Sequence, residues 1–344
     1  MRLPDAQEIL SLAHNAGFQQ SRVTAVADIF NLIGRRGNPS LENKLQKAFT
    51  YLLKDFPNPL LNCSLLVSAL SYHHEEREDF STADDPHTLI AAFARRNYYR
   101  EAVNRMKYIV QQLKAKTGAS KHSFRIFCNS HLPEKLLAAF CGLGFYGKNS
   151  LLITQGLGSR FIIAVLLFPL RISASREKVQ IVAPGVRCAE CQACRDACPT
   201  KALQIPGEVD ITRCLQQLST ELILFPDEIK KTWGYRLYGC ESCQNACPYN
   251  NGLTQTTVTD CGILGPSISI ARLLTLSSQE LKNHFKKTAL GMSWINPLAL
   301  QRNTLLAAGN RKNSVLMPYV EPFLRHENPV LRDAGRWALE MIHS

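Results

Sequence analysis

The stretch CAECQACRDACP constrains this chain more than any other, because it spaces Cys188, Cys191, Cys194 and Cys198 as C-x2-C-x2-C-x3-C-P. In such a run three thiolates on one tight turn cap three irons of a [4Fe–4S] cubane, and the cysteine before proline points away to ligate a second cluster. A second motif, YGCESCQNACPYN at residues 238–250, keeps only the last three positions with Cys240, Cys243 and Cys247; Leu237 stands where the first cysteine would be. Exchange of the fourth cysteines gives one cluster Cys188, Cys191, Cys194 and Cys247. The other takes Cys198, Cys240 and Cys243 and needs one more thiolate. Only Cys214, in VDITRCLQQLS, lies between the motifs, so it is the expected replacement, in the first turn of a helix. Zinc would need four ligands per metal and often draws on histidine, which neither motif contains.

Twelve cysteines in a small secreted chain would imply disulfides, but this one has 344 residues and opens MRLPDAQEILSLAHNAGF, charged throughout, like an amphipathic helix and unlike a signal peptide. That points to metal binding in a reducing compartment, the cytoplasm. FIIAVLLFPL at 161–170 is about half the length needed to span a bilayer and reads as a buried strand, so no membrane role is expected. The net charge of +12 is uneven: 23 Lys and Arg oppose 14 Asp and Glu over residues 1–180, 7 oppose 9 over 181–260, and 10 oppose 5 over 261–344. Basic flanks suit a polyanionic partner such as RNA, with a solubilising surface as the alternative.

These patterns predict an α+β multidomain chain. Residues 1–180 form an α/β domain, with helices over Asp5–Ala16, Leu41–Leu53 and Thr88–Lys116 and strands over 63–70, 124–129 and 150–154. GLGFYGKNS at 142–150 lacks both the dinucleotide and the P-loop spacings and reads as a tight turn before a strand. Residues 181–260 hold eight of the twelve cysteines in a small ferredoxin-like double-cluster domain. Residues 261–344 end in three amphipathic stretches from Asn296 onward, the pattern of a HEAT-like helical repeat that packs on the rest. Arg302, Arg311, Lys312, Arg332 and Arg336 on these helices are expected to contact phosphates. Cys63, Cys141 and Cys261 are expected to be small buried hydrophobes.

Taken in order, GLGFYGKNSLLI, CAECQACRDACPTKAL, the lone RC, YGCESCQNACPYN and QRNTLLAAGN resemble the epoxyqueuosine reductase family over nearly the whole chain. The resemblance implies a cobalamin- and double [4Fe–4S]-dependent oxidoreductase that removes the epoxide oxygen in the last step of queuosine synthesis on tRNA. It implies cobalamin in the N-terminal domain, contacted by Gly142, Gly144, Gly147, Lys148 and Asn149, and an electron donor such as a flavodoxin or ferredoxin. A base-on corrinoid domain would carry D-x-H-x-x-G; Asp85-Pro86-His87 begins that pattern but Ile90 stands at the glycine, so base-off cobalamin is expected.

The chain departs from the family in its pocket. Anchored on Glu134 and Gly142, FCNSHLPE places Cys128 where the family's V-D-S-x-P-x-x-E has its proton-donating aspartate, and G-R-D-Y-H becomes RRNYY, which retains Tyr98 and changes the neighbours to Asn97 and Tyr99. Cys128 and Tyr98 are the catalytic candidates, since a thiol near about 8.5 and a phenol near about 10 can each donate a proton. The alternatives are a related corrinoid and iron–sulfur reductase with another substrate, or a ferredoxin-like electron-transfer protein.

Overall fold

The computed structural model describes residues 3–34, 39–76, 78–172 and 182–344. They divide into two compact units, each assembled from three separate stretches: residues 1–73, 98–189 and 249–254 in the first, and 74–97, 190–248 and 255–344 in the second. This division cuts the chain differently from the three consecutive regions expected, and the 180/181 boundary lies outside the described residues. Among the described residues no helix is long and apolar enough to cross a membrane.

In the first unit two apolar runs become neighbouring strands. Ser64–Ser71 is buried at all eight positions and pairs antiparallel with Phe161–Phe168, Ser64 opposite Phe168 and Ser71 opposite Phe161. Gln20–Ala25 and Arg125–Phe127 extend the sheet on either side, also antiparallel. The expected α/β domain is thus helices layered on an antiparallel sheet; apolar periodicity reveals strands but not their pairing direction. Side chains alternate between faces along a strand. Leu65, Val67, Ala69, Val165 and Leu167 join one core with Val26, Ile29, Ile33, Phe49 and the helix Glu134–Phe140. Against the same sheet pack Ala6–Asn15, begun by a capping box between Asp5 and Glu8, and the long helix Tyr98–Thr117. Cys63 and Cys141 are buried as expected.

The long helix starts ten residues later than its periodicity suggested. His87–Ile90 is a strand in the second unit, parallel to Arg236–Tyr238 and antiparallel to Ser267–Ser269, and Ala92–Ala94 is a single 3-10 turn. Those partners lie far away in sequence, and no local pattern announces them. The strand expected over 150–154 is only Leu152–Ile153, paired with Phe145–Tyr146.

In the same unit Pro297–Arg311 and Pro329–His343 start alike: Asn296 and Asn328 each accept the backbone N–H two residues on, and proline occupies the first turn. They pack closely enough that a Cβ at Gly309 would lie 2.6 Å from the Trp337 ring and 2.9 Å from the Ala338 Cα. The middle stretch is no continuous helix. It breaks into Ser314–Leu316, Met317–Val320 and Glu321–Arg325, with Pro318 and Pro322 each opening a new piece.

Candidate cluster sites and cavity

All twelve cysteines are free thiols. Cys188 ends the 3-10 turn Val186–Cys188 in the first unit. Cys191, Cys194, Cys198, Cys214, Cys240, Cys243 and Cys247 belong to the second, where the motif helices Ala193–Asp196 and Ser242–Asn245 pack on each other. Cys214 is the N-cap of Leu215–Leu218, so the helix-start expectation holds. Leu237, the position of the absent cysteine, is wholly buried in strand Arg236–Tyr238 and serves the core. A ligand there would have to leave that core.

Cys214 and Cys243 each feel the charge of neighbouring motif cysteines. Burial, then the thiolates of Cys240, Cys214, Cys194 and Cys198, push the Cys243 thiol up to about 12. Cys214 is raised first by burial and also by Cys240 and Cys198, against hydrogen bonds from the Gln217 and Gln216 amides. The Ala202 amide donates to Cys198 Sγ at 3.2 Å. Crowded thiols supplied with amide donors fit a cationic iron–sulfur core, which takes ligands as thiolates. Among the described residues no three His, Cys, Asp or Glu side chains converge on a single metal ion; a cubane spreads its ligands over four irons.

The first unit contains a cavity of about 560 Å³ whose polar wall includes Tyr99, Asn129, Glu134, Lys135, Tyr146 and Ser159. Glu134 Oε1 accepts from the Ser130 amide and hydroxyl, both at 2.7 Å. Lys135 donates to the Ser150 carbonyl at 3.2 Å; although the residue as a whole is exposed, desolvation around its ammonium lowers its pKa. Burial pushes Tyr146 up to about 12. Cys128 immediately precedes the cavity residue Asn129, whose φ is 52°; burial, then the charge of Glu134, push its thiol up to about 12. Tyr98 is 3% exposed, its ring 5.9 Å from that of Tyr72, and its neighbour Tyr99 lines the cavity. Sequence reading missed Lys135, which no motif marks, and Tyr146, which lies within the quoted glycine turn but was not singled out there.

On the glycine turn, Gly142 closes the helix Glu134–Phe140 with φ of 76°. A Cβ at Gly144 would lie 2.4 Å from the Ile153 carbonyl oxygen, and one at Gly147 would meet the Ile153 side chain at 2.6 Å. These glycines serve the local hairpin. Lys148 Nζ donates to the Ala189 carbonyl at 2.5 Å. Asn149 differs: its Oδ1 accepts from the Leu151 amide, and its buried Nδ2 has no hydrogen-bond partner, an unused donor suited to an amide-fringed ring such as a corrinoid. His87 has both ring nitrogens engaged, by Ser267 and Asp85.

The basic residues of the C-terminal helices are mostly committed to the fold. Arg302 is 1% exposed. Arg311 donates to the His87 carbonyl and Asp79, and Arg332 to the His326 and Glu327 carbonyls. The expectation that these helices offer all five cations to phosphate is corrected, since the forks of Arg302, Arg311 and Arg332 are used on backbone carbonyls; Arg336 is exposed.

Residues 187–250 match the family model of a 4Fe-4S double cluster binding domain and include all eight motif cysteines. The protein is thus of the two-cluster iron–sulfur class. It is 30% identical to the epoxyqueuosine reductase of Salmonella typhimurium, over 97% of this chain and 87% of that one, and 31% identical to that of Bacillus subtilis over 61% of this chain. The chain belongs to the epoxyqueuosine reductase family. The match spans only 53% of the Bacillus protein's length. An epoxyqueuosine reductase crystallised with an epoxyqueuosine-modified tyrosine tRNA stem loop shares the fold, with a TM-score of 0.75 at 24% identity over 98% of this chain and 90% of that one.

Proposed function

We propose that the chain is a cobalamin- and double [4Fe–4S]-dependent reductase converting epoxyqueuosine to queuosine in tRNA. The observation carrying this reading is the family match over 97% of the chain, joined to the eight cysteines within the double-cluster match. Cys188, Cys191, Cys194 and Cys247 would hold one cluster and Cys198, Cys214, Cys240 and Cys243 the other. When bound, the clusters supply single electrons, from a donor such as a flavodoxin or ferredoxin, and the corrinoid supplies the reducing chemistry. The regions 1–180, 181–260 and 261–344 would serve as corrinoid and substrate region, cluster region and HEAT-like tRNA-contacting region, in a cytoplasmic enzyme.

The chain's own task is to hold the corrinoid through Asn149 and the glycine turn, seat the nucleoside, and protonate the departing oxygen. Cys128 and Tyr98 stand at the family's matching positions. Lys135 joins them as a cavity amine whose pKa, lowered by desolvation, makes it a stronger acid than free lysine. Anaerobically purified protein should contain about eight irons per chain and a corrinoid, and should form queuosine from epoxyqueuosine-containing tRNA. Bound corrinoid without turnover would favour a different substrate, and absence of corrinoid would favour an electron carrier.

A further inference from the structure

We propose that Arg302 and Asn303 are positioning residues for the cluster of Cys198, Cys214, Cys240 and Cys243, an inference that rests on the ligand assignment above. A C-x2-C pair is fixed by its own turn. Cys214 stands alone, so its place relative to Cys240 must be fixed by contacts from elsewhere in the chain.

Two adjacent residues of Pro297–Arg311 supply those contacts. The fully buried Arg302 guanidinium donates through Nη2 to the Leu218 and Glu221 carbonyls, both at 2.9 Å, and through Nη1 to that of Ile223 at 3.0 Å. That stretch leaves the short helix which Cys214 caps. The Arg302 cation lies 3.9 Å from the Phe225 ring centroid and 5.3 Å from that of Trp233, and its Nε donates to Asn303 Oδ1 at 2.8 Å. Oriented by that bond, Asn303 Nδ2 donates to the Ser219 carbonyl at 2.9 Å and to the Leu237 carbonyl at 2.8 Å. Ser219 follows the Cys214 helix, and Leu237 begins the approach to Cys240. One amide group therefore ties both arms together. The tie is repeated nearer the thiols, where the Cys240 amide donates to Gln216 Oε1 at 3.3 Å and the Gly239 amide to Ser219 Oγ at 3.4 Å.

Lysine cannot reproduce this clamp, because a point charge with three donors lacks the planar fork that reaches three carbonyls and a side-chain amide together. Truncating Asn303 leaves two buried carbonyls without their donor. The effect should fall on one cluster, since the other draws no ligand from Cys214 or Cys240.

The test compares Arg302→Lys, Arg302→Met, Asn303→Ala and Cys214→Ala in the full chain, purified anaerobically, with melting curves to confirm folding. Iron content, the paramagnetic spectrum of the reduced protein and the reduction potentials are the readouts. Asn303→Ala and Arg302→Lys should alter or lose one cluster's spectrum while leaving the other unchanged, with iron falling from about eight toward about four per chain. Arg302→Met should lose more; if it fails to fold, the two milder variants decide. If the folded Asn303→Ala and Arg302→Lys proteins keep both spectra and both potentials, or lose both clusters equally, the positioning role is overturned. Cys214→Ala separates this from the underlying assignment. Full iron in that variant refutes the ligand itself, whereas loss of one cluster there with none lost in the other variants refutes only the clamp.

Discussion

At the scale of single residues, the proposed proton donor is where this chain departs from the family pattern it resembles. On the proposed correspondence Cys128 takes the aspartate's place, and a thiol pushed up to about 12 keeps its proton throughout the neutral range. Tyr98 is packed in the interior beside Tyr72, whereas Lys135 is part of the cavity wall. In single-turnover assays on epoxyqueuosine-containing tRNA, Lys135→Met should therefore slow the reaction by about 10²-fold or more, the usual scale for a positioned acid. Tyr98→Phe should cost less, and Cys128→Asp, which restores a carboxylic acid, should accelerate turnover. The reverse order for Lys135 and Tyr98 would return the donor's role to the tyrosine. The double-cluster domain was legible because the spacing of its eight cysteines is itself the chemistry; those eight are the proposed ligands. Lys135 was not, because a lysine four residues after an exposed His131 looks like any surface cation until the fold sets it against the Ser150 carbonyl.

At the scale of elements, apolar period gave the two central strands, the first helix and the two C-terminal helices, all of which carry their own pattern. It failed at His87–Ile90, whose strand character depends on partners about 150 and 180 residues away, and in the proline-broken middle of the C-terminal region. The same strand is clamped from the last helices. Arg311 donates to the His87 carbonyl and pairs with Asp79 Oδ2 at 2.6 Å, while its guanidinium lies 3.7 Å from the centre of the Tyr235 ring. Burial pulls the Asp79 carboxyl upward, but hydrogen bonds from Ser81 and Arg311, and the arginine's charge, outweigh it and hold the pKa below the ordinary 3.8. A carboxyl depressed in the folded state adds stability that is fully present above its unfolded pKa and is lost as pH falls through the folded one. Melting temperature should thus drop between about pH 4 and lower values more steeply in the natural protein than in Asp79→Asn. The partly exposed pair contributes less than about 1 kcal/mol, and identical acid limbs would show that it contributes nothing.

At the scale of the whole molecule, net charge and family point to RNA, but Arg302, Arg311 and Arg332 of the C-terminal region are committed elsewhere. Removing those helices would strip Leu305, Leu306, Trp337 and their neighbours from a core, so truncation would test folding rather than RNA contact. Charge reversal at exposed Arg336 is the cleaner experiment. Affinity for tRNA should fall steeply with salt, and Arg336→Glu should weaken binding and flatten that slope by about 1 if it meets a phosphate; an unchanged slope would remove it from the interface. The interleaving of the two units has a consequence for synthesis on the ribosome. The first unit needs residues 249–254 before it is complete, so it cannot close ahead of the cysteine motifs, which emerge earlier. The Arg302 clamp emerges later still. A growing chain therefore presents its thiols to the cell before either the clamp or the C-terminal core exists, and cluster insertion into a settled site belongs to the finished polypeptide.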